Sequence, residues 1–170
     1  FLYEEGSATT DHKSIAKRFN NYFANVAQNL VDKMGDSNNK FQDYLKNPNE
    51  HSFYINETTP DEISKLILNM DTKKATDLYG ISPKFVKISC DKIKEHLTNI
   101  FNISFVQGVV PNKMKIGMIH PIHKADSRMA CSNYRPITIL PTLSKILEKL
   151  MHKRLMSFFN KFNLLFKHQY

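Results

Sequence analysis

The sequence predicts an α+β fold, mostly helical with one short antiparallel hairpin. Three observations point there. Apolar residues return at three- and four-residue steps through most of the chain, helix-start signatures precede several of those runs, and only the stretches around 116–123 and 135–140 alternate like strands. At 170 residues and 41% apolar composition the chain can bury a core, and its 11% aromatic content argues against wholesale disorder. One domain, or one and an arm, is expected, divided into residues 1–52 (a helix and linker) and 53–170.

Each element has its own signature. After a start expected to be mobile, Ile15, Phe19, Tyr22, Phe23, Val26, Leu30 and Met34 fall on one helical face, with Thr10 or Asp11 available as the cap. The polar stretch 35–51, with Gly, Asn and Pro, reads as a linker, and Ser52–Asn56 as a short strand. Thr59, Pro60 and Glu62 form a capping-box pattern that opens a helix over about 60–70. Residues 71–82 break it, and Ser82-Pro83 restarts a helix. The next helix carries Ile93, Leu97, Ile100, Phe101, Ser104 and Phe105 on one side and stops at Gly108. The first strand of the hairpin contains Pro121, which suits an edge or bulge, and a polar loop leads to the second, "RPITIL". Leu143, Ile146, Leu147, Leu150, Met151, Leu155, Phe158 and Phe159 then mark a last amphipathic helix, its basic residues mostly elsewhere.

No charged start leads into an apolar stretch, and no run approaches eighteen apolar residues, so the expectation is a soluble, intracellular protein with no membrane partner. Cys90 and Cys131 lie far apart, without the paired spacing that would suggest a disulfide framework or a thiolate metal site, so buried or idle thiols are expected. The net charge of +8 is unevenly placed: residues 111–170 hold eleven Lys and Arg against Asp126 and Glu148, while residues 1–110 hold thirteen against fourteen acids. A basic C-terminal portion suits a polyanion, because each phosphate contact releases condensed counterions; a solvated basic face is the other reading.

The chemistry-bearing residues are few. Lys124 ends one expected strand and Arg135 begins the next, so a hairpin would set an ammonium and a planar guanidinium near one another. That pair suits a phosphate chain, with Arg gripping two oxygens and Lys acting as a point charge; two solvated loop-edge residues are the alternative. His120, His123 and Cys131 could offer metal ligands, but positions 120 and 123 face opposite sides of a strand. Glycine-rich phosphate loops, nucleophile elbows and adjacent Asp-Asp pairs are all absent from these 170 residues.

Three blocks in order, "DEISKLILNMDTKKATDLYGISPKFVK", "LTNIFNISFVQGVVPNKMKIGMIHPIHK" and "SNYRPITILPTLSKILEKLMHKRL", closed by His168-Gln169-Tyr170, resemble the N-terminal part of reverse transcriptases of non-LTR retrotransposons, in particular the Jockey-like group. The resemblance covers about residues 12–170, and residues 15–30 look like the helix that precedes the polymerase domain. It implies that residues 53–170 are an incomplete N-terminal and fingers portion, truncated before the palm of a right-hand polymerase, whose hairpin folds over the incoming nucleotide. Lys124 and Arg135 would then hold the dNTP triphosphate, with Pro136 fixing the backbone after the arginine. Lys113, Lys115, Lys149, Lys153 and Arg154 would lie along the RNA template or DNA primer, although a solvated face explains each of them almost as well. The palm and thumb would be further partners. No catalytic residue and no cofactor is expected within these residues, Mg2+ being expected for the complete polymerase on palm aspartates that they lack. The alternative is a non-catalytic nucleic-acid-binding or interaction protein derived from such an element.

The chain departs from the family pattern in one turn. Where that pattern reads Lys-Ala-x-Gly-x-Asp-Gly-Ile, this chain has Lys74-Ala75-Thr76-Asp77-Leu78-Tyr79-Gly80-Ile81. Asp77 in a glycine's place is expected to strain a left-handed position, at about 1 kcal/mol.

Overall fold

The computed structural model describes residues 2–4, 7–35, 40, 42 and 50–165. Its elements run β1 (Leu2–Glu4), β2 (Ser7–Thr9), α1 (His12–Val31), α2 (Pro60–Leu68), α3 (Pro83–Ile88), α4 (Cys90–Gln107), β3 (Met118–His123), β4 (Tyr134–Ile139) and α5 (Thr142–Lys161). The mostly helical fold with a β3–β4 hairpin is the one the sequence predicts. Most of the expected linker over 35–51, and the His168-Gln169-Tyr170 motif, lie outside the described residues. Among the described residues no helix is long and apolar enough to cross a membrane.

The chain divides into two compact units. The first combines Phe1–Glu50 with Ile119–Thr138, and the second His51–Met118 with Ile139–Tyr170. In the first unit β1 and β2 pair antiparallel, Tyr3 opposite Ala8, where the sequence suggested a mobile start; the pairing joins backbone groups and needs no apolar alternation. The Asp11 carboxylate caps α1 by accepting from the Ser14 N–H at 2.8 Å. Phe19 of α1 and Cys131 are buried together, with Ile15, Tyr22, Phe23 and Tyr134 around them. The Tyr134 ring meets Phe19 edge to face at 4.8 Å.

The second unit holds the larger core. Ile63 and Ile67 of α2, Val86 of α3, Cys90, Leu97 and Phe101 of α4, and Ile146, Leu147 and Leu150 of α5 are buried together. Thr59 caps α2 as predicted, accepting from the Glu62 N–H at 3.3 Å, and Ser82 caps α3, accepting from Phe85 at 3.1 Å. Gly108 ends α4 in the left-handed conformation at φ +67°, a geometry that a side chain would strain. Four residues assigned to apolar helical faces, Leu30, Met34, Ile100 and Leu155, are instead exposed.

Two carboxylates tie this unit together, and both correct the sequence reading. Glu62 does not close its capping box. Its side chain accepts from the Thr58 hydroxyl at 2.9 Å, Lys153 Nζ at 2.7 Å and Arg154 Nη2 at 3.0 Å, joining α2 to α5. Residues 52–56 are not a strand, because backbone carbonyls here and just beyond face α5: Asn56 and Glu57 accept from the Arg154 guanidinium at 2.7 and 2.9 Å. The Thr58 N–H and C=O meanwhile pair with the Asn102 carboxamide at 2.8 and 3.0 Å.

Asp77 is the second. It is not in a left-handed conformation; Gly80 is, at φ +73°, so the expected strain is absent. The Asp77 carboxylate is buried and accepts from the N–H groups of Tyr79 at 2.9 Å, Ile81 at 3.0 Å and Thr142 at 2.6 Å. The last is the first residue of α5, whose own preceding residue, Pro141, supplies no side-chain cap. Asp77 thus caps a helix that starts 65 residues further along. The Thr142 hydroxyl returns a bond to the Ile81 carbonyl at 2.8 Å. Tyr79, the other departure from the family pattern, donates from its hydroxyl to the Lys113 carbonyl at 2.8 Å.

Both carboxyls titrate below their ordinary ranges. Burial alone would raise Glu62, but hydrogen bonds from Lys153, Thr58 and Arg154 outweigh it and lower its pKa from 4.5 to about 2. Burial would likewise raise Asp77, and the bonds from Thr142, Ile81 and Tyr79 reverse the sign. A folded-state pKa below the unfolded one adds stability at neutral pH that disappears as pH falls through the folded value. Glu62→Gln is therefore expected to cost about 2–3 kcal/mol at pH 7. Because wild-type Glu62 is itself protonated at acid pH, urea titrations should show that difference shrinking from pH 4.5 to pH 2; a constant gap would contradict the assignment. Asp77→Ala leaves three N–H groups without their acceptor and is expected to destabilise by about 2–4 kcal/mol, with Asp77→Asn, which keeps one oxygen, intermediate. Thermal melts of the two variants rank them.

Candidate nucleic-acid interface

The hairpin fixes the geometry of the first candidate pair. The Lys124 N–H donates to the Asn133 carbonyl at 2.9 Å, so 124 lies opposite 133, and counting along both strands puts 122 opposite 135 and 121 opposite 136. The same count matches Met118 to Ile139 and His123 to Tyr134, the two ends of β3 and β4, so the strands pair without a bulge. His123 and Tyr134 do meet, their rings edge to face at 5.2 Å.

This register explains the two prolines. Counted from the Lys124–Asn133 bond, 124/133, 122/135 and 120/137 are the hydrogen-bonding positions, and Pro121 and Pro136 fall opposite one another at a position that exchanges no backbone bonds. Neither missing N–H interrupts the ladder. Each proline also keeps the outer edge of its strand from donating to another strand.

The register also sorts the side chains into two faces. His123, Tyr134 and Pro121 share one face, which is half-buried where Tyr134 packs on Phe19. His120, Ile122, Lys124, Asn133, Arg135 and Ile137 share the other, and all but Asn133 are exposed. Lys124 and Arg135 are diagonal neighbours on that face, with Cα atoms about 7–8 Å apart by ordinary sheet geometry. By this count the two cations fall on one face of the hairpin. His120 and His123 fall on opposite faces, as their spacing predicts, and do not share a ligand position.

The other members of the Asn133-Tyr134-Arg135-Pro136 tetrapeptide have local work. The Asn133 carboxamide donates to the Ser127 carbonyl at 2.9 Å, and the Tyr134 hydroxyl to the Arg128 carbonyl at 2.8 Å. His123 Nε2 lies 3.1 Å from the carbonyl of Asp126, a residue at φ +61°, so the ten-residue tip is folded back onto its own strands. Among the described residues, neither the Lys124 ammonium nor the Arg135 guanidinium forms an ion pair. A guanidinium and an ammonium exposed on one face have the chemistry that phosphate oxygens call for.

The remaining predicted contacts lie in the second unit. Lys113 and Lys115 are exposed in a 3-10 turn, Asn112–Lys115, that Ser144 anchors by donating to the Met114 carbonyl at 2.7 Å. Lys149 and Lys153 are exposed along α5, Lys153 bonded at one end to Glu62 while 65% of its side chain remains open. Arg154 is different. Only 10% of its side chain is exposed, and it donates to Asn56, Glu57, Leu150 and Glu62 while lying over the Phe105 ring at 5.5 Å. A phosphate contact by Arg154 would have to displace those bonds. Tyr54, Phe53, Phe158, Lys161 and Phe162, none of them among the expected contacts, line a cavity of about 420 Å³ with Lys153 and Arg154. The run Phe158-Phe159-Asn160-Lys161-Phe162, three aromatics around one lysine, is its linear signal.

The described residues do not fit the magnesium pair of a polymerase: no three His, Cys, Asp or Glu side chains among them are placed to hold a metal ion. No step through magnesium is assigned to them.

No protein-family model matches the chain. Three relatives do. The chain is 30% identical over 117 residues to the RNA-directed DNA polymerase from mobile element jockey of Drosophila melanogaster, a match covering 68% of the chain and 13% of that protein. It is 27% identical over 130 residues to the "Probable RNA-directed DNA polymerase from transposon X-element" of the same species, covering 76% and 14%. It is 29% identical over 97 residues to the retrovirus-related Pol polyprotein from type-1 retrotransposable element R1 of Bradysia coprophila, covering 56% and 10%. The chain thus spans about one-seventh or less of the length of these relatives. Over most of its own length it is distantly similar to reverse transcriptases of Jockey-like non-LTR retrotransposons.

Proposed function

We propose that this chain is part of an RNA-directed DNA polymerase of a non-LTR retrotransposon and supplies its grip on the incoming nucleotide and on the template. The observation that carries the reading is the diagonal placement of Lys124 and Arg135 on the exposed face of the hairpin. In this reading the Arg135 guanidinium takes two oxygens of the dNTP triphosphate and Lys124 offsets the remaining charge. Lys113, Lys115, Lys149 and Lys153 contact the RNA template or DNA primer backbone, and Arg154 holds the end of the 52–58 segment, at Asn56 and Glu57, against α5 so that Lys153 is presented outward. Magnesium and the reacting carboxylates belong to the palm of the complete polymerase, which with the thumb is the structural partner of these residues.

The distant similarity supports the polymerase reading, and the concentration of positive charge in residues 111–170 supports a polyanionic partner independently. Arg135→Ala tests the reading. The side chain is exposed, so melting should be unchanged, while affinity for a fluorescent dNTP should fall about tenfold or more and affinity for single-stranded RNA should stay within about twofold. Equal loss of both affinities would favour a non-catalytic nucleic-acid-binding protein that uses its basic residues without distinguishing nucleotide from backbone. The 170-residue chain alone is expected to give no primer extension with dNTP and magnesium; product in that assay would overturn the division of labour proposed here.

A further inference from the structure

We propose that the cavity between residues 52–56 and the C-terminal half of α5 seats one nucleotide of a single-stranded RNA, its base against Tyr54 and the neighbouring phenylalanines and its phosphate at Lys153 and Lys161. The proposal rests on the nucleic-acid reading above and adds a site that neither the nucleotide grip nor the similarity to known polymerases assigns.

Shape and rigidity come first. The cavity, of about 420 Å³, lies within the range of sites that hold small organic groups. One wall is a chain of aromatic rings that fix one another. Phe53 meets Phe158 edge to face at 5.4 Å, Phe158 meets Phe162 at 4.9 Å, and Phe162 stacks on His51 at 4.1 Å. At the mouth, Tyr54 is 76% exposed, an unusual exposure for a large ring held on a segment whose backbone is tied to α5. An exposed ring beside an ordered aromatic wall is a stacking platform that any base can use.

Charge decides the rest of the ligand. Lys153, Arg154 and Lys161 outnumber the single acid, Glu62, by two. Arg154 is enclosed by its bonds to Glu62 and two carbonyls, whereas Lys153 shares Glu62 at 2.7 Å but keeps 65% of its side chain exposed and Lys161 is exposed, so the cations a ligand can reach are Lys153 and Lys161. Lys161 Nζ lies 5.1 Å from the Phe162 ring centre, held beside the aromatic wall rather than extended into solvent. Two lysines, one of them partly offset by Glu62, suit the single negative charge of a phosphodiester. A triphosphate fits poorly, because α5 ends here at Lys161 and its terminal carbonyls present the negative end of the helix dipole. The site therefore takes a link in a strand, with neighbouring nucleotides leaving through the open mouth.

The experiment uses the 170-residue chain and an oligo(U) carrying 4-thiouridine. Photo-crosslinks are expected in the peptides containing residues 52–56 and 153–162. Tyr54→Ala, which removes an exposed ring and should leave melting unchanged, is expected to weaken oligo(U) binding about tenfold. Lys161→Gln should lower the slope of log K against log salt by about 0.7 for the lost phosphate contact. Crosslinks confined to other peptides, or both variants binding as wild type does, would overturn the proposal. So would poly-glutamate competing as well as oligo(U), since a carboxylate polymer has no bases to stack. Failure here is distinguishable from failure of the hairpin reading: Arg135→Ala leaves the Tyr54 crosslink in place, and absent dNTP binding with that crosslink intact would sink only the nucleotide grip.

Discussion

The buried Asp77 carboxylate is the constraint on which the second unit depends. A charged group out of water must be matched by donors, and here three backbone N–H groups converge on it from two places far apart in the chain. Two belong to the turn that follows it, so the carboxylate shapes its own loop; the third opens α5, so the same group fixes where that helix starts. With α5 so placed, Ile146, Leu147 and Leu150 meet Ile63, Ile67, Leu97 and Phe101 in the core. Tyr79 extends the same loop to the Lys113 carbonyl, which positions the turn bearing Lys113 and Lys115. The two residues that depart from the family pattern are thus the two that carry these tertiary bonds.

A second polar junction sets the opposite end of α5. Glu62, held ionised by Lys153, Thr58 and Arg154, joins α2 to α5, and Arg154 collects the carbonyls of Asn56 and Glu57. These carbonyls would otherwise lack partners, since residues 51–59 form neither helix nor strand. One arginine with donors in a fixed planar fork can satisfy several acceptors at once, where a lysine would act as a point charge. The consequence for function is a division between neighbours: Arg154 is built into the fold, while Lys153, one residue earlier, is largely open to solvent. The aromatic cavity exists because this junction holds the 52–56 segment along α5.

The hairpin works by a different rule. Its strands alternate side chains between two faces, and aromatic packing of Tyr134 on Phe19 selects which face is covered. Lys124 and Arg135 then lie on the uncovered face because of register alone. Slipping the pairing by one residue would carry the arginine to the other face and set Pro121 or Pro136 where the ladder needs an N–H. Positioning two cations and tolerating two prolines are therefore consequences of one register.

Much of this was legible in the linear sequence. Periodicity, caps and glycines located the helices, because an amphipathic helix needs only local spacing and a local cap; Asp11, Thr59, Ser82 and Gly108 each act within a turn of their position. That Lys124 and Arg135 flank one hairpin could be anticipated because a hairpin joins neighbours in sequence. What tertiary structure alone decided are the contacts made across long separations: Asp77 to Thr142, Glu62 to Lys153 and Arg154, and Tyr54 and Phe53 beside Phe158 and Lys161. An isolated Asp in a loop has the same appearance whether it is solvated or caps a distant helix, and an arginine on a helix face gives no sign of which carbonyls it will meet. Pattern fixes the elements because their stabilising bonds are local; the polar junctions and the cavity depend on which elements the core brings together, and that is set by packing.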